Sequence, residues 1–362
     1  MPLSDKHTET KTYDDILNAG PPLNQLATDF VTPNPLFFVR NHAWIPHFQL
    51  ESYRLRVHGL VSRELSLSLD EIKRDFERHS LTATLQCAGN RREELVSYQP
   101  IDDQLEWGIE AIGTAQWAGA RLGDVLMAAG IRSEAAAHVT FLGLDEVLHG
   151  NEKEAYGGSI ALEKALACEV LLAYEMNGED LPLAHGCPLR VVVPGYIGAR
   201  SVKWLSEICV QAEQSDNHFQ QVGYKLFPPH IKKDNVDYAD GMPLTKLPVN
   251  SVIVRPQKSS ALAAGVVVVE GYAMSDGEHA ITWVSVSADG GETWQRADFT
   301  HEPRLWSWQL WRAEFTLPPG EHELVVRAWD SAANSQPETI ASVWNFKGYV
   351  NNAWHRVKIT VR

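Results

Sequence analysis

The chain has 362 residues, which is long enough for two domains that each bury a hydrophobic core. Acidic residues outnumber basic ones by 46 to 32, and the net charge of −14 repels phosphate backbones, which excludes nucleic acid as an expected partner. A local cluster of arginines can still attract a small anion into one cleft. Residues 261–269 form the most apolar stretch, which is far too short to span a membrane.

The first ten residues, MPLSDKHTET, contain no basic start followed by an apolar run, so we expect no secretory leader. This favours a cytoplasmic location. A leader removed before the first residue would leave the same pattern, which keeps a periplasmic location open. The first forty residues are rich in Pro, Asn and Thr and predict an extended N-terminal arm with little regular structure.

The next two hundred residues mix strand and helix patterns. Alternating apolar and polar residues predict a strand at YRLRVHGLV, and Ser68 or Asp70 is the expected cap of a helix in SLSLDEIKRDFER. Further helices are predicted at GARLGDVLMAAGI and IALEKALACEVLLAYEM, and further strands at HVTFLGL and LRVVVPG. The mixture predicts an α+β domain over residues 1–245.

After residue 245 the pattern changes to short β-rich segments separated by turn residues such as Asp289-Gly290-Gly291. The predicted strands are SVIVRP, GVVVVEGYAM, ITWVSVSADGG, WQLWRAEFTL, HELVVRAWD, ASVWNF and HRVKITV. Strands at this spacing predict a β-sandwich of the immunoglobulin type over residues 246–362.

The four cysteines match neither a zinc-site spacing nor the CxxCH motif of haem attachment. Cys168 and Cys209 lie in apolar segments, where cysteine is usually a small core residue. Cys87 lies in LQCAGNRR, where small residues let a bulky group approach and two arginines favour the thiolate. From composition alone, a reactive or structural thiol is a commoner interpretation than a metal ligand.

LQCAGNRR resembles the signature of sulfite oxidases and the related eukaryotic assimilatory nitrate reductases, in which this cysteine binds molybdenum. Four further segments resemble the same family in the same order: FFVRNH, LEWGIEAIGTAQWAGARL, LAYEMNGEDLPLAHGCPLRVVVPGYIGARSVKW and VWNFKGYVNNAWHRVKITV. The resemblance implies a mixed α/β molybdopterin-binding domain followed by an immunoglobulin-like β-sandwich dimerisation domain, and therefore a homodimer.

The implied cofactor is molybdenum bound to molybdopterin, without haem, and Cys87 would be the only protein ligand of the metal. A pterin presents many hydrogen-bond donors and acceptors, and its phosphate needs cationic and hydroxyl partners. The implied pterin-binding residues are Phe38, Arg40, Asn41, His42, Asp145, His185, Arg190, Ser201, Val202 and Lys203. Arg200, beside Ser201 and Lys203, could add positive charge to the same site.

The resemblance also implies a substrate pocket in which the guanidiniums of Arg40 and Arg92 bind a small oxyanion. Lys347 departs from the family pattern, because animal sulfite oxidases usually carry an arginine there and nitrate reductases an uncharged residue. The lysine keeps the positive charge, which favours sulfite over nitrate, but lacks the bidentate donor geometry of arginine. The full set of implied catalytic residues is Arg40, Arg92, Trp107, Tyr224 and Lys347.

The expected activity is oxidation of sulfite to sulfate, with electrons passed to a separate acceptor such as a cytochrome. One alternative is a reductase of nitrate, or of an S- or N-oxide, on the same scaffold. The other is a non-catalytic scaffold or binding protein, which would contain no molybdenum.

Overall fold

The structure, a computed structural model, describes residues 9–13, 16–149 and 152–362. The first eight residues, on which the expected lack of a leader mainly rests, lie outside these ranges, as does part of the predicted N-terminal arm. The prediction of an arm with little regular structure is wrong in one respect. An antiparallel hairpin forms from β1 (Glu9–Tyr13) and β2 (Ile16–Gly20).

The first domain is a mixed α and β structure with two main sheets. Its further elements are β3 (Leu55–Gly59), β4 (Leu65–Leu67), α1 (Leu69–Asp75), β5 (His79–Gln86), α2 (Arg92–Tyr98), β6 (Ile112–Arg121), α3 (Leu122–Ala129), β7 (His138–His149), β8 (Glu152–Ala161), α4 (Leu162–Ala165), β9 (Leu171–Met176), β10 (Glu179–Asp180), β11 (Arg190–Val192), β12 (Leu205–Gln211), β13 (Lys225–Leu226) and β14 (Met242–Pro243). One sheet has the strand order β4-β3-β12-β7-β8, and the other has the order β10-β9-β6-β5 with β11 paired to β9. Within the described ranges, no helix has the length and apolar character that crossing a membrane requires.

Local sequence signals explain where the helices begin and end. The Ser68 hydroxyl accepts a hydrogen bond from the Glu71 N–H, and the Glu71 carboxylate accepts one from the Ser68 N–H, so Ser68 rather than Asp70 caps α1. Helix α3 ends at Gly130, whose φ of 68° suits glycine. Both predicted helices are confirmed.

The helix predicted over IALEKALACEVLLAYEM is wrong beyond its first turn. Only α4 is helical, and the following residues form β9, which pairs with β6, β10 and β11. The apolar residues of β9 are buried on both of its faces. A strand buried in this way produces a continuous apolar run that periodicity cannot distinguish from a buried helix.

The C-terminal domain is a β-sandwich, as predicted. Its strands are β15 (Asn250–Arg255), β16 (Ala261–Leu262), β17 (Gly265–Met274), β18 (Ile281–Ser287), β19 (Gln295–Arg296), β20 (Asp298–Phe299), β21 (Gln309–Leu317), β22 (Gly320–Asp330) and β23 (His355–Val361). They form two sheets, β15-β17-β21-β20 and β16-β23-β22-β18-β19, around a core that includes Val269, Val284 and Trp311. The predicted domain boundary, between residues 245 and 246, falls between β14 and β15.

The strand predicted at ASVWNF is wrong. Residues Ile340–Ser342 form one turn of 3-10 helix, and Trp344 packs against Leu95 and Ile101 of the first domain. The Trp344 indole N–H also donates to the Gln99 carbonyl at 3.1 Å. This segment therefore contributes to the contact between the domains instead of joining a sheet.

Candidate functional site

The Cys87 segment connects a strand to a helix at the edge of a cavity, which we call the inner cavity. Strand β5 ends at Gln86, and α2 begins at Arg92. The Cys87 N–H donates to the Ala111 carbonyl at 2.9 Å, and the Gly89 N–H points at the Cys87 Sγ at 3.4 Å. The inner cavity also has Leu85, Gly198 and Ala199 in its lining. The predicted residues that line it are Phe38, Arg40, Asn41, His42, Cys87, Asp145, His185, Arg190, Ser201, Lys203 and Tyr224.

One wall of the inner cavity carries an acidic residue, Asp145, and a basic residue, Lys203. Strand β7 has an irregularity between Leu142 and Glu146, and a bulge of this kind can redirect a side chain, here that of Asp145, into a site. Burial raises the pKa of Asp145 to about 6, although the charge of Lys203 opposes this. The Lys203 ammonium donates to the Asn41 side-chain oxygen and to the Ala184 carbonyl.

A second wall carries a buried arginine whose partners are backbone carbonyls. The Arg190 guanidinium donates to the carbonyls of His185 at 2.9 Å and Ser201 at 3.0 Å, and it lies over the Trp117 ring. Burial lowers the pKa of Arg190 to about 9. A buried cation held by neutral groups favours an anion nearby, because an opposite charge offsets the loss of hydration.

Two buried polar atoms of the lining test whether a pterin fits. Among the described residues, Asn41 Nδ2 and Asp145 Oδ1 have no hydrogen-bond partner, although both are shielded from solvent. Such atoms require a partner, and a pterin ring offers both acceptors and donors. Arg190, Ser201 and Lys203 supply the cations and hydroxyl that suit its phosphate. The residues present therefore fit the implied cofactor.

A second cavity, which we call the outer cavity, adjoins the first. The two share Arg40, Asn41, His42 and Tyr224 in their linings. The outer cavity is also lined by Asn18, Asp103, Gln104, Leu105, His218, Lys347 and Tyr349. Arg40 therefore faces both spaces, and its contacts with pterin and substrate stay predictions.

The N-terminal hairpin positions this shared wall. Asn18 lies in β2 and is buried, and its side-chain oxygen accepts from the Asn41 N–H at 2.9 Å and from the Arg40 guanidinium at 3.3 Å. Arg40 also donates to the Asn41 carbonyl. The hairpin thus fixes the direction in which Arg40 and Asn41 enter the site.

Tyr224 follows one turn of π-helix, Phe219–Gly223, and its ring stacks on Tyr349 at 5.3 Å. Single π-helical turns are frequent at functional sites. Burial is the main cause that raises the pKa of Tyr224, so its hydroxyl keeps its proton.

Arg92 lies directly behind the wall of the outer cavity. Its guanidinium donates to the carbonyls of Leu105 at 2.6 Å and Gly348 at 3.1 Å, and it lies over the Tyr349 ring. A Cβ atom at Gly89 or Gly348 would come within 2.6 to 2.7 Å of this side chain, so both glycines make room for it.

Lys347 lies in the outer cavity, where its ammonium is 5.0 Å from the centre of the Tyr238 ring. Its pKa is lowered to about 8, first by burial and then by the charges of Lys233 and Arg92. The Lys347 ammonium therefore brings a positive charge to the outer cavity, and its role in binding a substrate stays a prediction.

Four predicted residues are absent from the described linings of both cavities: Arg92, Trp107, Arg200 and Val202. Trp107 is fully buried in a cluster that includes Phe38 and Cys87. Arg200 donates to the Leu244 carbonyl at 3.1 Å. Their roles stay predictions.

Some lining residues were missed at the level of sequence. Phe37 and Tyr349 lie inside the segments FFVRNH and VWNFKGYVNNAW, so those motifs contained a signal for them. Tyr156 lies on β8, and its ring stacks on His42 at 4.6 Å. Neither Tyr156 nor Asn18 stands in a recognisable motif, because tertiary packing alone brings them to the site.

Comparison with known proteins gives a consistent result. Residues 42–219 match the oxidoreductase molybdopterin binding domain, and residues 242–362 match the Mo-co oxidoreductase dimerisation domain. Mitochondrial sulfite oxidase of Rattus norvegicus is 46% identical over 354 residues, which cover 95% of this chain but 64% of that protein. Sulfite oxidase of Arabidopsis thaliana is 42% identical over 360 residues, covering 94% of this chain and 91% of that protein.

The fold has a counterpart among solved structures. The sulfane dehydrogenase SoxCD from Paracoccus pantotrophus superposes with a TM-score of 0.83 at 24% identity, covering 99% of this chain and 90% of that chain. Both domains and their order are therefore those of a known architecture. With a cavity whose residues suit a pterin beside Cys87, and with relatives this similar over 94% or more of this chain, the chain belongs to the sulfite oxidase family of molybdopterin oxidoreductases.

Proposed function

We propose that this protein oxidises sulfite to sulfate at a molybdenum–molybdopterin cofactor bound in the inner cavity. One observation carries the proposal: a cavity lined by the Cys87 thiol adjoins, at Arg40, a second cavity lined by the Lys347 ammonium. A metal ligand and two cations thus face a shared boundary where an anion and a metal could meet.

The inner cavity supplies the groups that would hold the cofactor. Cys87 would ligate the metal, Asn41 and Asp145 would bond to the pterin ring, and Arg190 and Lys203 would bind its phosphate. When bound, the cofactor supplies the oxygen-atom transfer and stores the two electrons. The chain's own contribution is to bind, orient and neutralise charge.

The outer cavity supplies the groups that would hold the substrate. Arg40 and Lys347 would attract the oxyanion, while Arg92 would add positive potential from behind the wall. Tyr224 keeps its proton and could donate it in a hydrogen bond to a substrate oxygen. Trp107 would shape the pocket indirectly, through its packing against Phe38 and Cys87.

We propose that electrons leave for a separate acceptor such as a cytochrome, and that the chain itself binds no haem. The net charge of −14 suits a partner with a basic surface, because complementary charge accelerates encounter. A homodimer through residues 242–362 is supported by the match to a dimerisation domain. A cytoplasmic location stays a prediction.

The experiment measures molybdenum content and sulfite-dependent reduction of an artificial dye by the purified protein, beside nitrate reduction under the same conditions. We expect bound molybdenum and sulfite oxidation in the natural protein and no turnover in Cys87→Ser, because oxygen is a harder ligand than thiolate. Cys209→Ser, which changes a half-buried thiol in β12 away from both cavities, should keep its activity.

Normal sulfite oxidation by Cys87→Ser would refute the role of the thiolate. Nitrate reduction without sulfite oxidation would instead favour the reductase alternative, and a protein without molybdenum would favour the non-catalytic one.

A further inference from the structure

The segment that follows Cys87 makes several hydrogen bonds to the C-terminal domain. The Ala88 carbonyl accepts a hydrogen bond from the Val350 N–H at 2.7 Å. Two residues later, the Asn90 amide donates to the Tyr272 hydroxyl at 3.0 Å. Both partners belong to the C-terminal domain. Val350 lies in the segment before β23, and Tyr272 lies on β17.

The next residue makes two more bonds of this kind. Arg91 is fully buried, and its guanidinium donates to the Asn250 side-chain oxygen at 2.8 Å while it pairs with both oxygens of Glu94 at 2.7 Å. The Arg91 carbonyl accepts from the Asn351 amide at 3.1 Å. Arg92 adds its bond to the Gly348 carbonyl.

The first domain holds the same segment on its other side. The Cys87 N–H donates to the Ala111 carbonyl at 2.9 Å, and the Asn90 side-chain oxygen accepts from the Ala111 N–H at 3.0 Å. Tyr272 connects the two sides, because its hydroxyl also donates to the Ile109 carbonyl at 3.0 Å. The direction of the Cys87 thiol is therefore set jointly by both domains.

We propose that the C-terminal domain positions the Cys87 thiolate, with Asn351 and Tyr272 as positioning residues. This gives the β-sandwich a role in the active site beyond dimerisation. The inference rests on the proposed function in so far as Cys87 holds the metal. Removing the Asn351 amide would leave the buried Arg91 carbonyl without this donor, and the backbone would shift to find another.

Two variants test the proposal in the cofactor-loaded protein: Asn351→Ala, and the conservative Tyr272→Phe. The matched control is Asn352→Ala, because this neighbouring asparagine donates to the Val249 carbonyl at 3.1 Å and, among the described residues, has no hydrogen bond to the Cys87 segment. The measurements are molybdenum content, the thiolate-to-molybdenum charge-transfer absorption band, and kcat and KM for sulfite.

We expect both variants to shift the absorption band and to lower kcat about tenfold or more, as is typical when a group that orients a metal ligand is lost. KM for sulfite should change less, since the outer cavity is intact. Loss of molybdenum from both variants but not from Asn352→Ala would also support the proposal, because a displaced thiolate binds the metal more weakly. Asn352→Ala should match the natural protein in every measurement.

The proposal is overturned if both variants keep the absorption band and kcat of Asn352→Ala. The two hypotheses are separable. A natural protein that binds molybdenum but does not oxidise sulfite would refute the proposed function, while the position of the absorption band would still report on the thiolate.

Discussion

The hydroxyl of Tyr224 and the imidazole Nε2 of His42 share a hydrogen bond of 2.8 Å at the boundary of the inner and outer cavities. His42 also stacks on Tyr156, and Tyr224 stacks on Tyr349, so both rings are fixed in direction. When His42 Nε2 carries its proton and donates to the Tyr224 oxygen, the hydroxyl proton of Tyr224 is free to point to the place where the proposed substrate and cofactor would meet. A tyrosine held in this way is preorganised to bond to an oxyanion.

This relationship predicts the effect of Tyr224→Phe, which removes the hydroxyl and keeps the ring. We expect kcat/KM for sulfite to fall about tenfold or more, since one hydrogen bond contributes about 1 kcal/mol and more when its partner is charged. Steady-state kinetics on protein of equal molybdenum content measure this. Tyr98→Phe, at an exposed position on α2, is the control and should leave the rate unchanged.

Equal kcat/KM for Tyr224→Phe and Tyr98→Phe would show that the Tyr224 hydroxyl plays no part in the reaction.

Much of the fold could be predicted because local signals agree with the final packing. The Ser68 cap and the Gly130 end of α3 depend on residues within a single turn. Strand β17 carries a run of four valines, residues 266–269, which is typical of a strand. In contrast, the sequence of β9 is compatible with a buried helix, because both faces of the strand are buried and its apolar residues therefore do not alternate. Only the pairing of β9 with its neighbours in the sheet makes it a strand.

The residues of the candidate site likewise include some that the sequence could predict and some that it could not. Residues in family motifs, such as Asn41 and Lys203, could be predicted to lie together because the motifs share a known order, and they do line one cavity. Asn18 and Tyr156 could not, because they reach the site from a hairpin and a strand whose register no local pattern reveals. Arg92 is predicted as a substrate ligand; its bonds to the Leu105 and Gly348 carbonyls place it behind the wall, and its role stays a prediction.

Lys347 predicts an unusual pH dependence of substrate binding. Its pKa of about 8 means that the ammonium is charged below pH 8 and neutral above it. KM for sulfite should therefore rise as the pH passes about 8. In Lys347→Arg the charge persists, because guanidinium does not lose its proton in this range, so KM should stay low.

The comparison of the two proteins at each pH cancels the titration of sulfite itself. As a further check, Lys233→Ala removes a charge that lowers the pKa of Lys347, and it should move the rise in KM to higher pH. Parallel KM profiles for the natural protein and Lys347→Arg would contradict the assignment.

The contacts of Trp344 with the first domain predict that the segment before β23 stabilises the contact between the domains. The side chain is 2% exposed, packs against Leu95 and Ile101, and donates to the Gln99 carbonyl. Trp344→Ala should lower the free energy of unfolding by about 3–5 kcal/mol, because a large cavity forms and the carbonyl loses its donor. Urea unfolding followed by circular dichroism measures the change.

The control for this prediction is Trp283→Ala, which removes a tryptophan that is 41% exposed on β18. It should cost clearly less than Trp344→Ala, since less buried area is lost. A similar loss in both variants would mean that the contact of Trp344 with the first domain contributes little.

The burial of His355 predicts how the free energy of unfolding changes with pH. It is buried at the start of β23, its Nδ1 accepts from the Ile253 N–H at 3.1 Å, and its Nε2 is 3.9 Å from Glu94. Burial lowers its pKa to about 4, although Glu94 opposes this, and the charge of Arg91 lowers it further. The folded protein therefore keeps His355 neutral, whereas the unfolded chain takes up a proton below about pH 6.5.

The sign follows from this difference in proton binding. Stability from the neutral imidazole is complete above pH 6.5 and declines as the pH falls towards 4, by about 2 kcal/mol at pH 5. His355→Asn retains an acceptor for the Ile253 N–H but does not titrate. The difference in free energy of unfolding between the natural protein and this variant should therefore shrink by that amount between pH 7 and pH 5, and a difference that stays constant would show that His355 is not held neutral by the fold.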